Sequence, residues 1–543
     1  MLFIYYLYWI VLSKNELLIS IKDVAEQLGV SVSTINNWIH EGLLRSPSKG
    51  YILYTSFKNF VSDSIGVTKL TTRANKQGKD THDHNALSKH IVDLIQTQQY
   101  GHTIACEYEC SLSESYRNKE GIYYTPQHIV DDMFQSIEGD VSNKTFLEPC
   151  CGGGNFVIAA LKRGFKIENI YACDIDTNAV AITKHRIKEL TGKECKHIVC
   201  GDFLSISQKI SHKFDYIFTN PPWGKKLPKK DKNKWSKIYH TGNSADTCSL
   251  FLSASLYMLK KNGILGFLLP ESFYFVASFE DIRRKVLNYN IIKMTNYGKF
   301  GNLLTKSHSL ILSNAALSGK IECESETQKY YRNQLDFHVL PKHIFNFTTN
   351  DEDNSVISYL YSLPHHKLLN NAQWALGIVT GNNKHILKTE KEENCVPIYR
   401  GQDITSKGIS IPKYCIDKDL SRCQQVAPVH FYFAKEKVVY RFISNRIICC
   451  CDRQQSLILN SANLFIVNEN FLLTNQQVAD MLNSDLMSWL FQHIFNTYKI
   501  LRSDLEQLPL FHKYYEHYAV FNEANFLIYL NLEKNNGTYR VRR

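Results

Sequence analysis

The chain has 543 residues, 44% of them hydrophobic and 21% charged. That length calls for several domains, each with a core of its own. A net charge of +11 permits a polyanionic partner without demanding one, and 15 cysteines with no C-x-x-C pair exclude a disulfide framework and a zinc site built on such pairs. The cysteines read as reduced thiols, which places the chain in the cytoplasm. Met1 to Leu12 is apolar but too short to span a bilayer, and it lacks the basic start and cleavage site of a secretory leader. It reads as a packed or loosely ordered terminus, or as an upstream start-site artefact, and no later stretch is apolar enough for a membrane helix.

Residues 21–44 carry two short helical periods. The first places Val24, Ala25 and Leu28 on one face, and the second places Ile35, Trp38 and Ile39 on one face. Gly29 allows a tight turn between them, and Ser31 or Ser33 is placed to cap the second helix. This is helix-turn-helix spacing, in which Ser33, Thr34, Asn36, Asn37 and His40 would face a major groove. Gly50 to Phe60 reads as a small wing and a following helix. The segment resembles the winged helix-turn-helix of the excisionase and MerR-like group; a hairpin used only for protein contacts is the alternative. Lys69 to His90 is polar without an apolar period and reads as a linker, after which Leu87 to Gln98 regains a helical period.

From Tyr123 strands and helices alternate. Phe146-Leu147 leads into Glu148-Pro149-Cys150-Cys151-Gly152-Gly153-Gly154, and a helix follows to Lys162. Ile170 to Asp174 is a strand, Asn178 to Leu190 a helix, and Lys196 to Cys200 a strand ending at Asp202-Phe203. Phe214 to Thr219 is a fourth strand, ending at Asn220-Pro221-Pro222-Trp223. A helix from Ala245 to Leu259 and a strand from Ile264 to Leu269 complete the pattern. The class is α/β, a doubly wound Rossmann-like sheet that binds ligands at the carboxyl ends of its strands. All the marked residues lie at those ends. The glycine loop lets backbone approach a ligand, and Asp174 stands at a spacing suited to ribose hydroxyls. Asp202 would accept from an adenine amino group and Phe203 would stack on its ring. Together these marks point to a nucleoside cofactor. Asn220 offers a side-chain donor and acceptor, two prolines stiffen the chain, and an aromatic ring follows, which suits a planar amine-bearing ring such as a nucleobase.

Residues 123–313 resemble the gamma-class, Taq-type adenine-N6 DNA methyltransferases of type II restriction-modification systems, motif by motif and in that family's order. The resemblance implies S-adenosylmethionine as cofactor. Thr125, in Tyr124-Thr125-Pro126, would touch its methionine moiety; Glu148, Cys151, Gly152 and Gly154 form the glycine loop. Asp174 takes the ribose, Asp202 and Phe203 take the adenine, and Asn220, Pro221, Pro222 and Trp223 are the catalytic motif. Phe300 matches the aromatic that closes over a flipped base; a plain core Phe is the competing reading. The chain departs from the family at Trp223, where Tyr or Phe is usual. Asn220 Oδ1 and the Pro221 carbonyl would each accept one adenine amino hydrogen, and no covalent cysteine is needed.

Gly224 to Ile238 holds seven lysines, 225, 226, 229, 230, 232, 234 and 237. Such a run is often a solvated loop, but beside this motif Lys225 and Lys226 are expected to meet DNA phosphate. After Ile344 the alternation stops. A strand at 374–384 that ends in a glycine-rich polar turn, the stretch 396–404, strand-like stretches at 437–441, 446–448 and 464–467 and a helix at 476–495 resemble, in that order, the α+β target-recognition domain of the same enzymes. Lys384, Arg400, Arg441 and Arg446 are its candidate DNA contacts.

The expected domains are a helix-turn-helix at 1–66, a linker and helix at 67–110, a catalytic domain at 111–343 and a target-recognition domain at 344–543. The expected function is site-specific methylation of adenine N6 in double-stranded DNA as the modification enzyme of a restriction-modification system. A separately encoded cognate endonuclease is the implied second partner, since Glu194-Cys195-Lys196 is the lone E-x-K and lies inside the central domain. Methylation of RNA or a protein glutamine, and a DNA-binding regulator with a vestigial catalytic domain, are the alternatives.

Overall fold

The structure is a computed structural model that describes residues 17–28, 30, 32–40, 43–48, 50–62, 84–97, 100–112, 117, 120–225, 227–299, 305–325, 327–390 and 392–542. The expectations for residues 1–12, Gly29, Ser31, Lys226, Phe300 and most of the linker lie outside the described residues. So do those for the side chains of Ser33, Asn37, His40 and Lys384. The chain forms two compact units. One is made of Met1–Ser211, Phe218–Lys232 and Asp246–Phe251, the other of His212–Ile217, Asn233–Ala245 and Leu252–Arg543.

The first unit opens with β1 (Leu18–Ser20), helices α1 (Ile21–Gln27) and α2 (Val32–His40), β2 (Tyr51–Leu53) and α3 (Tyr54–Ser62). Ser20 caps α1 by accepting from the Asp23 N–H, which answers one of the helix's orphan donors. β1 and β2 pair antiparallel, Ile19 opposite Ile52. Val24, Ile35 and Ile52 are fully buried, and the rings of Trp38 and Phe60 meet at 4.8 Å. The helix-turn-helix with a small wing is therefore observed as expected, closed on its own apolar residues.

Helices α4 (His84–Gln96) and α5 (Gly101–Ser111) follow, then α6 (Gln127–Phe134), β3 (Phe146–Glu148), α7 (Asn155–Arg163), β4 (Ile170–Asp174), α8 (Thr177–Thr191) and β5 (Ile198–Cys200). β3, β4 and β5 pair in parallel, with Leu147 opposite Tyr171 and Asp174 opposite Cys200. Helix α6 packs on α7, while α8 packs on α4 and α5. Phe134 anchors the core against Phe146, Phe156 and Phe218. The strand β6 (Phe214–Thr219) ends at the Asn220 motif.

In the second unit β7 (Leu259–Pro270) is twice the expected length, and β8 (Asn290–Gly298), β9 (Ser307–Ser313), β10 (Lys320–Glu324) and β11 (Lys329–Asn333) follow it. Their order is β11-β10-β8-β9-β7, with β9 antiparallel to both β7 and β8. The winding is thus mixed here rather than wholly parallel. The C-terminal region holds a four-stranded sheet ordered 372–376, 462–467, 437–441 and 449–452. The pairing strand is Cys449–Asp452 rather than the expected 446–448. The helix expected over 476–495 is two helices, Asn475–Leu482 and Asp485–Phe495. Ser484 starts the second by accepting from the Met487 N–H. All fifteen cysteines are free thiols. Among the described residues no helix is long and apolar enough to cross a membrane.

Candidate active site

The ends of β3, β4, β5 and β6 meet through a chain of short bonds within the first unit. The Cys151 N–H donates to the Cys173 carbonyl at 2.9 Å, and the Gly152 N–H donates to Asp174 Oδ2 at 2.8 Å. The Gly201 N–H donates to the Asp174 carbonyl at 2.8 Å, which sets Asp202 beside the same strand end. The Asn155 amide donates to the Thr125 carbonyl at 2.9 Å, and the Cys150 thiol donates to the Asn220 carbonyl at 3.1 Å. Thr125, Glu148, the glycine loop, Asp174, Asp202 and the Asn220 motif are therefore brought together, as their spacing implies.

The glycines make room for the protein's own side chains as well as for a close approach. A Cβ on Gly152 or Gly153 would lie about 3 Å from the Tyr124 ring (3.0 and 2.9 Å), and one on Gly154 would lie 2.9 Å from Thr183 Oγ1. Gly154 also holds φ +84° where α7 begins, a conformation that an L side chain rarely adopts. Arg186 braces the loop from behind by donating to the Gly153 carbonyl and, at 2.8 Å, to Asn155 Oδ1.

The acids of the site are perturbed. Burial raises the Asp174 carboxyl to about 6, against the pull of backbone N–H groups of Asp176, Gly152 and Ile175. Burial also pushes Glu148 well above the usual carboxylate range, with Asp174 adding to the rise. Glu148 is 1% exposed and its Oε2 has no hydrogen-bond partner. Burial first, then Asp174, holds the Cys150 and Cys151 thiols far above their ordinary range, so neither is a thiolate nucleophile.

Asp202 caps the short helix Phe203–Ile206, accepting from the Leu204 N–H at 3.2 Å and from Ser205 Oγ at 2.7 Å. Each carboxylate oxygen keeps a further lone pair for another donor. Phe203 is buried to 2% exposure and its ring lies 5.1 Å from Phe251. Ile175, directly after Asp174, is an apolar side chain left 63% exposed.

Asn220 is tethered by one end of its amide. Its Nδ2 donates to the Tyr123 carbonyl at 2.9 Å, while Oδ1 is buried without a hydrogen-bond partner. Trp223 is 8% exposed and its ring lies 6.5 Å from that of Tyr123. Lys225 pairs with Glu120 at 2.6 Å, so its charge is already answered inside the chain. The lysine run is not a loop over its length: Lys229–Tyr239 is α9, whose Trp235 and Tyr239 are buried one helical turn apart. Tyr123, Glu120 and Gly121 were not marked in advance.

In the C-terminal region three of the marked cations are engaged internally. Arg400 pairs with Asp403 at 3.1 Å, Arg441 donates to the Ile404 carbonyl, and Arg446 pairs with Asp485 at 3.0 Å.

Known families match three stretches of the chain. The N-6 DNA Methylase family matches residues 101–295, the TaqI-like C-terminal specificity domain residues 396–510, and the MerR HTH family regulatory proteins residues 19–56. Type II methyltransferase M.VspI of Vibrio sp. (strain 343) is 45% identical over 394 residues, which is 72% of this chain and 97% of that protein. Modification methylase CviBIII of Paramecium bursaria Chlorella virus NC1A is 26% identical over 231 residues, 42% of this chain and 58% of that one. Among solved structures, the DrdV–DNA complex aligns with a TM-score of 0.50 at 12% identity. That alignment covers 90% of this chain and 65% of that one, a likeness of fold alone. With the relative from Vibrio aligned over nearly its whole length, the chain belongs to the type II N-6 adenine DNA methyltransferases.

Proposed function

We propose that the chain methylates N6 of an adenine flipped out of double-stranded DNA, with S-adenosylmethionine as donor, as the modification partner of a separately encoded endonuclease. The observation that carries this reading is Asn220 Oδ1, a buried acceptor without a donor on an amide whose other end is tied to Tyr123. A buried oxygen left unanswered costs about 1–3 kcal/mol, and an incoming amino group removes that cost.

The donor set suits the cofactor. Asp174 offers a carboxylate edge for vicinal hydroxyls, with the Gly152 N–H already on one oxygen, and Glu148 adds an orphaned carboxyl oxygen. Ile175 supplies an apolar platform for a ring, and Asp202 a further acceptor. Thr125, Cys151, Gly152, Gly154 and buried Phe203 shape the wall. When bound, S-adenosylmethionine supplies the methyl group on a positively charged sulfur.

The chain's own work is orientation and electrostatics. Asn220 Oδ1 and the Pro221 carbonyl each accept one amino hydrogen. Doing so concentrates the lone pair that adenine otherwise delocalises into its ring. Pro222 stiffens the turn, and Trp223 forms the aromatic wall against which the base rests. Extruding the base costs a few kcal/mol, which those contacts repay. Lysines 229, 230, 234 and 237 of α9 are exposed and suit phosphate contact; Lys225 would first have to leave Glu120. The proposed division of labour is a helix-turn-helix at 1–66 that adds DNA affinity or controls expression, a linker and helix at 67–110, a catalytic domain at 111–343 and a recognition domain at 344–543.

The test is expression in a bacterium without DNA methylation, followed by mapping of modified bases. N6-methyladenine at one recurring sequence is expected from the wild type and none from Asn220→Ala. An unmodified genome with the wild type, or the same map with Asn220→Ala, overturns the reading.

A further inference from the structure

Residues 120–125 touch both halves of the site. At one end Glu120 pairs with Lys225, directly after Gly224, with side-chain exposures of 22% and 27%. Gly121 then meets the motif backbone to backbone. A Cβ there would sit 2.6 Å from the Trp223 carbonyl oxygen, 2.7 Å from the Trp223 nitrogen and 3.2 Å from the Pro222 carbonyl carbon. Its φ of +73° also disfavours any side chain. Two residues on, the Tyr123 carbonyl takes the Asn220 amide. At the other end the Tyr124 ring covers Gly152 and Gly153, and the Thr125 carbonyl is held by Asn155 at the start of α7.

The bond from Asn220 to Tyr123 decides which atom of the amide faces a base. An amino group presents two donors and needs an acceptor. If the Tyr123 carbonyl withdrew, the amide could turn and present its own NH2, donor against donor. The same short segment forms one wall of the cofactor loop through Tyr124. We propose that Glu120–Thr125 is a positioning strap that couples occupancy of the cofactor loop to the setting of Asn220, with Gly121 as the residue that lets it lie flat. This rests on reading Asn220 as the methyl-acceptor site. Coupling of this kind is reciprocal and typically amounts to 5–150-fold in affinity. The cofactor should therefore tighten the grip on an extruded base, and the base should tighten the grip on the cofactor.

The experiment uses the full chain, a duplex carrying its mapped site with 2-aminopurine at the target base, and the unreactive cofactor analogue sinefungin. In wild type, sinefungin should tighten duplex binding at least about fivefold and raise the 2-aminopurine signal. In Gly121→Ala both effects should vanish, and single-turnover methylation should fall at least about 30-fold. The affinity for S-adenosylmethionine alone should stay within about threefold. Should Gly121→Ala fail to fold, Glu120→Gln carries the test, with a smaller loss in the same direction that Glu120→Asp restores. If Glu120→Gln and Gly121→Ala keep the wild-type rate and coupling while Asn220→Ala is inactive, the strap is wrong. If either variant loses cofactor affinity as much as rate, the segment merely supports the fold and the strap is again wrong. If Asn220→Ala itself keeps the wild-type rate, the acceptor-site reading fails first.

Discussion

The Gly152 N–H and the Asp174 carboxylate meet at 2.8 Å, which ties the end of β4 to the loop after β3. That bond favours the ionised acid, but burial outweighs it and the carboxyl titrates at about 6 instead of 3.8. Between those values the folded chain holds a proton that the unfolded chain has lost. The fold without ligand therefore loses stability as pH rises across that window. Cofactor binding has the opposite sign, because only the ionised carboxylate accepts from both ribose hydroxyls. Affinity for S-adenosylmethionine should fall about tenfold per pH unit below 6 and level off above it. Asp174→Asn should bind weakly with a flat profile between about pH 5 and 7. A wild-type slope in that variant would show that another acid governs binding.

Most of the site was legible because its residues stand at strand ends, where an α/β sheet gathers ligand contacts whatever the details of packing. The glycine loop, Asp174 and Asn220 need only the order of strands to meet. The strap was not legible: Gly121 and Trp223 lie far apart in the chain, and nothing local signals that one backbone rests on the other. The role of the glycines was only half visible, since the positions of Tyr124 and Thr183 over them come from the fold. The lysine run hid a helix because its buried face is only Trp235 and Tyr239. The opposite error arose at Ser484, where a continuous apolar period masked a capping residue that breaks the helix in two.

Gly154 should resist substitution for two reasons that act together. A Cβ would meet Thr183 Oγ1 at 2.9 Å, and φ is +84°. Thr183 in turn donates to the Gly152 carbonyl at 2.9 Å, so displacing it loosens the loop that faces Asp174. Gly154→Ala should cost about 1–3 kcal/mol in urea unfolding and weaken S-adenosylmethionine binding at least about tenfold. Wild-type affinity in this variant would mean that the loop tolerates the shift and that its geometry is not needed for binding.

Lys437 and Asp452 form a fully buried pair in the C-terminal region, 2.6 Å apart with side-chain exposures of 0% and 1%. Both charged groups have further hydrogen-bond partners. Lys437 donates to the Tyr432 carbonyl, and Asp452 also accepts from the N–H groups of Gln454 and Ser456. Removing one partner leaves a buried charge alone, at a cost of about 3–5 kcal/mol. Lys437→Met should lower the unfolding midpoint accordingly. Lys437→Met with Asp452→Asn should recover most of the loss, because the amide oxygen still accepts backbone N–H groups and carries no charge. A loss under about 1 kcal/mol in the single variant would mean that water reaches the pair.

The helix-turn-helix carries its own core, in which Ile19, Val24, Ile35, Trp38, Ile52, Phe57 and Phe60 are buried against one another. Among the described residues that core is made of residues 19–60, so its loss should not disturb the Asn220 motif. Asn36 is exposed on α2, and the lysines and arginines of residues 1–66 are few: Lys14, Lys22, Arg45, Lys49 and Lys58. So sparse a charge gives little nonspecific grip on phosphate, and the module should contribute as an auxiliary DNA contact. Deleting residues 1–66 should leave the methylated sequence unchanged while weakening binding to long DNA, read by genome-wide mapping beside a binding titration. Trp38→Ala, which empties the centre of that core at a cost of about 3–5 kcal/mol, should reproduce the binding loss with the same map. A changed recognition sequence in either variant would assign part of target choice to this module and end the proposed division of labour.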